Sequence, residues 1–322
     1  MRTRQIVLVV LCLSALLLTG CQRVGSTTQG EGAGTNGLRG KSNAYVSPAR
    51  LADLEDRAVA ESSGIVASRR NPDVFWTHND SGDGPIIYAF DRKGRSRGRW
   101  HVTDAQAVDW EDIAAGPGPR AGVSYLYIGD IGDNDTRRDY VTVYRVPEPE
   151  TADDDGSAPV GGKHVTEPSE ALRLKYPDGR HNAETLMVHP KTGDLYIITK
   201  DFTSATGVYK LKAPFTTTGI NTLTRVGEIS VPNIVGGLIT GGDISPDGRK
   251  IILCDYLSGY EVSLPDDAKD DFDQIWKEPM VTVELGPRRQ GETVCYSLDG
   301  DSILATSEKR PVPLIEVKRK RG

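Results

Sequence analysis

The sequence predicts an all-β protein, a five-bladed β-propeller closed by an N-terminal strand that completes the last blade. Two observations support this prediction: one strand pattern occurs five times in succession, and turn-forming residues separate its copies. The chain has 322 residues, of which 37% are hydrophobic, 35 are glycine and 19 are proline. The hydrophobic content is ordinary for a globular protein, and the many turn formers exclude a helical bundle. Propellers of this length fold as one unit.

The charge of the chain excludes one class of function. It has 45 acidic and 39 basic residues, a net charge of −6. A nucleic-acid binder needs a net basic surface to displace counterions from phosphates. We therefore expect no nucleic-acid partner.

Residues 1–20 are predicted to be a lipoprotein signal peptide. Arg2 and Arg4 precede the apolar run IVLVVLCLSALLL, which is short for a membrane span and typical of a secretion signal. The residues LTGC that follow resemble the bacterial lipobox, whose cysteine receives diacylglycerol and becomes the new N-terminus. The resemblance implies that Cys21 is lipidated, with a second acyl signal such as palmitate giving stable attachment to the extracytoplasmic face of the cell membrane. An ordinary signal peptide with a chance cysteine is the alternative.

Residues 21–45 are predicted to be a flexible tether, and residues 46–322 the propeller domain. The first segment is rich in Gly, Ser, Thr and Gln and nearly lacks apolar residues, so it cannot bury enough surface to fold. Two cysteines remain in the domain, Cys254 and Cys295. They either form a disulfide or stay as two buried thiols.

Each of the five copies opens with an acidic or hydroxyl residue before a short apolar stretch. The openings are ESSGIVAS, DWEDIAAG, NAETLMVH, TGGDISPDG and QGETVCYS. The central apolar residues of these openings lie 48 to 73 residues apart and are Ile65, Ile113, Leu186, Ile244 and Val294. A period near 50 with three or four strands in each repeat is typical of a propeller blade.

Further strands follow each opening. Second and third strands, such as YLYIGD and YVTVYRVP, are short, β-branched and aromatic. Fourth strands are predicted at GRWHVTD, EALRLKYPD, TRVGEISVP and MVTVEL. The fifth copy lacks a fourth strand after Lys318, whereas ARLADLED at Ala49 to Asp56 precedes the first opening. We infer that this N-terminal strand completes the last blade and leaves no open sheet edge at the junction.

The openings place oxygen ligands around the propeller axis. Two residues before each central apolar residue stand Ser63, Glu111, Glu184, Gly242 and Glu292. Equivalent positions on innermost strands share a direction, so three carboxylates and a hydroxyl are expected to converge. A hard cation relieves the repulsion in such a cluster, and calcium accepts several oxygens in irregular geometry. The ring holds no Cys or His, which argues against zinc. The alternative is that these acids only cap turns.

The ring resembles that of the calcium-dependent apyrases, five-bladed propellers that hydrolyse nucleoside diphosphates with an axial calcium. The order Ser, Glu, Glu, small residue, Glu carries this resemblance, which implies four metal ligands: Ser63, Glu111, Glu184 and Glu292. Gly242 departs from the serine of that family, and Thr240 or Asp243 is the candidate to replace the missing side chain. The phrases WTHNDSG, DWEDIA and YIGDIGDN also resemble secreted actinobacterial propeller proteins of unassigned function.

A second polar layer is predicted at the same mouth, because each second strand ends beside the start of an innermost strand. The candidate ligand-binding residues are His78, Asp80, Asp130, Asp133, Lys200, Asp201, Asp243 and Glu308. Acids and bases around a cation suit the recognition of phosphate or carboxylate groups. A solvated rim of turns would have the same composition.

Two functions follow from these expectations. In the first, the chain is a monomeric, membrane-anchored binding or scaffold module with calcium in its central channel, and its ligand is an unidentified small molecule or protein. In the second, it is a calcium-dependent hydrolase of phosphate esters or anhydrides. A metal-polarised water would then attack, with Asp80, Asp130 or His78 as general base. No GxSxG, P-loop or HExxH motif supports another mechanism.

Overall fold

The structure, a computed structural model, describes residues 37–151, 163–200, 206–231, 238–268 and 271–321. Within them 23 strands form five separate sheets, with two short 3-10 helices at Asp266–Ala268 and Phe272–Lys277. Each sheet is one blade, which confirms the predicted five-bladed propeller.

The first two blades each have four antiparallel strands and one added parallel strand at the outer edge. Blade 1 consists, from the axis outward, of β3 (Ser62–Ala67), β4 (Val74–Asn79), β5 (Ile86–Asp91), β6 (Ser96–His101) and β10 (Lys163–Val165). Blade 2 consists of β7 (Trp110–Pro117), β8 (Ser124–Asp130), β9 (Val141–Pro147), β11 (Glu170–Lys175) and β15 (Ile220–Thr222). The predicted fourth strands are therefore β6 and β11 in these blades.

The next two blades follow the same plan. Blade 3 consists of β12 (Ala183–Val188), β13 (Leu195–Thr199), β14 (Thr206–Leu211) and β16 (Thr224–Ile229). Blade 4 consists of β17 (Gly241–Ile244), β18 (Lys250–Cys254), β19 (Gly259–Ser263), β20 (Met280–Val283) and β1 (Leu38–Lys41), which pairs in parallel with β20.

Blade 5 is built from both ends of the domain. It consists of β21 (Thr293–Tyr296), β22 (Ser302–Thr306), β23 (Pro313–Lys318) and β2 (Ala49–Asp53). Strand β2 pairs antiparallel with β23, from Ala49 opposite Glu316 to Asp53 opposite Pro313. The predicted closing strand is thereby confirmed. The innermost strands contact one another around the ring in the order β3, β7, β12, β17 and β21, and β21 contacts β3.

The hydrophobic core lies between neighbouring blades. Five buried clusters each combine side chains of two adjacent blades, and they include the fully buried Trp76, Trp110, Tyr127, Tyr196 and Tyr260. Burying a large apolar side chain stabilises a fold by about 1.5–3 kcal/mol, so each blade is held chiefly by its two neighbours. Cys254 and Cys295 are buried and free in this core, which confirms the interpretation as two thiols. Burial raises the pKa of the Cys254 thiol to about 11.

Ordered structure begins before the predicted start of the domain. Leu38–Lys41 forms the edge strand β1, and the buried Tyr45 donates its hydroxyl to Glu261 at 2.5 Å. The segment LRGK is polar and exposed and pairs through its backbone, so its composition did not predict a strand. Residues 1–36, with Cys21 and the predicted signal peptide, lie outside the described residues. In the described part of the chain no helix is long and apolar enough to cross a membrane.

The two ends of the ring have different loops. Innermost strands start side by side, because Ser63 contacts Glu111 and Asp243 contacts Tyr296 across blade boundaries. We name the end where these strands begin the mouth face, and the other end the opposite face. The loops that end β4, β8, β13, β18 and β22 lie at the mouth face, since these strands pair antiparallel with the innermost ones.

Candidate metal centre at the channel mouth

Three carboxylates meet at the mouth face between blades 1 and 2. Asp80, Asp109 and Glu111 each offer an oxygen within 4.8 Å of the others. Asp80 follows β4, Asp109 stands in the turn before β7, and Glu111 belongs to β7. Carboxylate oxygens at this separation suit a hard cation such as calcium.

β-Bulges direct several ring side chains toward the axis. In the innermost pairs of blades 1, 2 and 3, the register skips one residue each time, and the skipped residues are Ser63, Glu111 and Glu184. A bulged residue leaves the regular alternation and re-aims its side chain. In blades 2 and 3 the acid before the apolar strand therefore marks a bulge, which simple alternation does not describe.

The Glu111 carboxylate has no hydrogen-bond donor among the described residues, although Glu111 is only 4% exposed. Burial, followed by the charges of Glu184, Asp80 and Asp109, raises its pKa well above the ordinary value. Burial and Asp80 likewise raise the pKa of Asp109 to about 6. An unpartnered, buried carboxylate facing two others is stabilised by a cation.

Glu184 has a partner of a different kind. Its carboxylate forms a buried ion pair with Lys200 Nζ at 2.8 Å, and the same ammonium lies 5.4 Å from the centre of the Tyr256 ring. Burial favours the neutral amine, but Glu184 and Tyr256 outweigh it and raise the pKa of Lys200. The ammonium therefore neutralises Glu184 from within the protein.

Glu292 and Glu308 form a carboxyl pair in blade 5. Both are buried, and Glu308 favours the protonated form of Glu292. Burial and Glu308 raise the pKa of Glu292 to about 8. Gln290 Nε2 also donates to Glu292 Oε1 at 2.8 Å. Protonation of Glu292 therefore lowers the negative charge of the ring in blade 5.

The two remaining ring positions are Ser63 and Gly242. Ser63 Oγ donates to the carbonyl oxygen of Glu111 at 2.9 Å, which joins blades 1 and 2. Gly242 pairs with Leu253 without a bulge, and a Cβ there would overlap the Leu253 side chain. Thr240, one candidate substitute, donates to the carbonyl of Gly291 at 3.1 Å.

The other candidate substitute, Asp243, serves the backbone. Its two oxygens accept from the Ile244 and Tyr296 amides at 2.8 and 2.9 Å, which ties blade 4 to blade 5. Asp112 does the same for blades 2 and 3, accepting from Ile113 at 2.8 Å and Leu186 at 3.0 Å. The residue after the ring position is therefore a structural clamp in two blades.

The residues of the predicted second polar layer do not all lie together in the structure. Asp80, Lys200 and Glu308 lie with the ring carboxylates, whereas Asp201 lies outside the described residues. His78 is fully buried against Trp110, and its Nδ1 contacts the carbonyl of Asn79 at 2.8 Å. Burial lowers the pKa of His78, which keeps the ring neutral.

Asp130 and Asp133 support the neighbouring loop. Asp130 is 1% exposed, forms an ion pair with Arg138 at 2.7 Å and accepts from the Asp109 amide at 3.1 Å. Asp133 accepts from the amides of Arg137 and Arg138, both at 2.8 Å. These contacts hold the backbone of Asp109 in place beside the carboxylate cluster.

Sequence reasoning missed Asp109. It precedes β7, so the period-two alternation of a strand gives no direction for its side chain. The available signal was the phrase DWED, in which two acids flank Trp110 and Glu111. A bulge within this phrase brings Asp109 and Glu111 to the same side.

Comparisons with known proteins assign the chain to no family. No family model matches the chain, and no curated protein matches it. Among solved structures, the chain is similar to a gluconolactonase from Xanthomonas campestris, with a TM-score of 0.42 and 11% sequence identity. That match covers 77% of this chain and 69% of the gluconolactonase.

Proposed function

We propose that the protein is a membrane-anchored, extracytoplasmic propeller that holds calcium at its channel mouth and binds a ligand there. The observation that supports it is the arrangement of Asp80, Asp109 and Glu111, whose oxygens lie within 4.8 Å of one another although Glu111 is only 4% exposed. The donor set fits calcium because all three ligands are hard oxygens.

The ion would be held by a different set from the predicted ring. Asp80, Asp109 and Glu111 supply its carboxylates, whereas Glu184 is neutralised by Lys200 and Glu308 favours the protonated form of Glu292. Calcium takes six to eight oxygens, so three side chains leave positions for water or for oxygens of a ligand. Phosphate, carboxylate or hydroxyl groups are the matching ligand chemistry.

Calcium titration by calorimetry tests this proposal. We expect one calcium per chain and a loss of affinity on the order of 10- to 100-fold in Glu111→Gln, since site charge sets calcium affinity. Asp135→Asn is the matched control, because Asp135 is an exposed acid of the mouth face outside the cluster. Absence of calcium binding by the wild-type chain, or equal loss in both variants, contradicts the proposal.

The anchor is tested separately from the ion. The lipobox-like LTGC at Leu18 to Cys21 supports lipidation. Mass spectrometry of the N-terminal peptide should find diacylglycerol on Cys21, and Cys21→Ala should leave the chain unmodified. An unmodified Cys21 in the wild-type chain contradicts the anchor and leaves the calcium site untouched.

Hydrolysis of phosphate esters or anhydrides is the second function. Of its candidate bases, Asp130 is ion-paired and His78 is buried, so Asp80 alone lies in the carboxylate cluster. This favours the binding role. Phosphate release from nucleoside diphosphates and a panel of esters, measured with calcium and with chelator, separates the two. Calcium-dependent release that Asp80→Asn abolishes would establish the hydrolase.

A further inference from the structure

Both ends of the described chain lie at the face opposite the mouth. Innermost strands run away from the mouth, so the fourth strand β20 and its parallel neighbour β1 run toward it. Leu38, the first residue of β1, therefore lies at the opposite face. The third strand β23 runs away from the mouth, which places Lys318 and the following residues at that face too.

A cleft of about 680 Å³ at this face is lined by basic side chains. These are Arg92, Lys93, Lys318, Arg319, Lys320 and Arg321. Arg92 and Arg319 are committed to ion pairs, with Asp73 at 3.0 Å and with Glu261 at 2.9 Å. Lys93, Lys320 and Arg321 are exposed and have no ion pair with any other described residue.

The same cleft also contains four acids, two of which form ion pairs. They are Asp73, Asp299, Asp301 and Glu316. Asp73 and Glu316 pair with Arg92, and Glu316 also lies 3.5 Å from Lys318. Asp299 accepts from the Asp301 amide at 3.0 Å within its own turn. The lining has six basic and four acidic side chains, so a surplus of two positive charges remains for a partner.

Apolar side chains are exposed beside these charges. Leu298, in the turn between β21 and β22, is 50% exposed, and Val46 is 44% exposed next to Lys318. Basic and apolar side chains on one surface are typical of contact with a lipid headgroup region. The mouth face, in contrast, carries the carboxylate cluster, which an anionic bilayer repels.

We propose that the face opposite the mouth docks on anionic lipid headgroups and turns the carboxylate mouth away from the membrane. The docking rests on the lipid anchor of the proposed function and not on calcium. With the lipid on Cys21, residues 22–36 span at most about 50 Å before the described chain begins at this face. Tethering gives an effective concentration on the order of millimolar, so a weakly binding surface suffices.

A fluorescent label on the full chain tests the orientation. The dye is placed on Leu298→Cys or on Asp135→Cys at the mouth, since Cys254 and Cys295 are buried. The chain is reconstituted on vesicles of phosphatidylglycerol with phosphatidylcholine, or of phosphatidylcholine alone. We expect the dye at 298 to be shielded from acrylamide on the anionic vesicles only, and the dye at 135 to stay accessible on both.

Charge reversal tests which residues dock. Each Lys or Arg near an anionic surface strengthens binding by a factor on the order of five, so Lys318→Glu, Lys320→Glu and Arg321→Glu together should weaken docking by about 100-fold or more. The matched reversal at the mouth, Arg57→Glu, Arg137→Glu and Arg289→Glu, should leave shielding unchanged. Melting by circular dichroism verifies that each variant is folded.

The proposal is overturned if position 298 is equally accessible on both vesicles, or if the triple reversal at 318, 320 and 321 has no effect on shielding. It is also overturned if inorganic phosphate releases the chain from the vesicles and other salts at the same ionic strength do not. Mass spectrometry of the same preparation reports the lipid independently. A Cys21→Ala chain without signal peptide, which carries neither the lipid nor that thiol, is added to preformed vesicles, where the same dye reads docking directly. Chelator should leave the docking unchanged, which separates it from the calcium site.

Discussion

Glu111, Glu184 and Glu292 occupy equivalent positions in three blades and meet different neighbours. The repeated acid before an apolar strand located Glu111, Glu184 and Glu292 in the sequence. Strand alternation alone predicted that all three are metal ligands. In the structure their surroundings differ: Glu111 lies at a bulge, Glu184 pairs with Lys200, and Glu292 lies against Glu308. A bulge depends on hydrogen bonds between two strands, which a single strand's pattern does not contain.

Gly132 tests the packing of the carboxylate cluster. A Cβ at this position would overlap Glu111 Oε1 and Asp109 Oδ2, so Gly132→Ala should displace both carboxylates. We expect calcium affinity to fall by at least about tenfold, because metal affinity depends on how the ligands are placed. Gly84→Ala is the control, because its Cβ would make only ordinary contacts at 3.8 Å. Calorimetry showing equal affinities for the two variants would contradict the cluster geometry.

Neighbouring acids in β7 should separate stability from calcium binding. Asp112→Asn removes one of two acceptors for backbone amides, which costs about 1–3 kcal/mol in the free energy of unfolding. Glu111→Gln should leave the stability of the calcium-free chain unchanged or raise it, because it removes a negative charge that accepts no hydrogen bond from a described residue. Chemical denaturation with chelator measures both. A larger loss of stability in Glu111→Gln than in Asp112→Asn would reverse the assigned roles.

The Glu292 and Glu308 pair predicts a pH dependence. In the folded chain Glu292 has a pKa of about 8 against an ordinary 4.5. Its contribution to stability is therefore present below about pH 4.5 and is lost as the pH rises toward 8. With chelator, Glu292→Gln should flatten the decrease of melting temperature over this range. If the difference in melting temperature between the variant and the wild type does not change with pH, the protonation of Glu292 is contradicted.

At the scale of elements, the strands with strong patterns were predicted and the edge strands were not. Strands β11, β16 and β20 fall within predicted fourth strands, and β6 overlaps one. The added outer strands β1, β10 and β15 are three or four residues long and largely exposed, as Val165 and Ile220 show at 70% and 51% exposure. Such strands depend on the free edge of another blade, which local sequence does not reveal.

A polar clasp joins the two chain ends to blade 4. Tyr45 and Tyr296 donate their hydroxyls to Glu261, and Arg319 pairs with the same carboxylate at 2.9 Å. Tyr45→Phe should lower the free energy of unfolding by about 1–3 kcal/mol, because Glu261 loses a buried donor. Tyr140→Phe is the control, since Tyr140 is 41% exposed. Equal denaturation midpoints for the two variants would show that the clasp does not stabilise the ring.

At the scale of the whole molecule, the propeller separates two chemistries. Carboxylates gather where the innermost strands begin, and the basic cleft with both ends of the described chain lies where they end. The strand directions of the propeller impose this separation. The closing strand at Ala49–Asp53 was predictable because the fifth repeat lacked one strand. The grouping of Asp80, Asp109 and Glu111 was not, because it depends on contacts between blades and on the pairing of Glu184 with Lys200.

Anomalous diffraction from crystals of the chain grown with a lanthanide in place of calcium tests the central claim most directly. We expect one strong peak coordinated by Asp80, Asp109 and Glu111, and its loss in Glu111→Gln. A peak on the axis between Glu184 and Glu292, or none at the mouth, would contradict it.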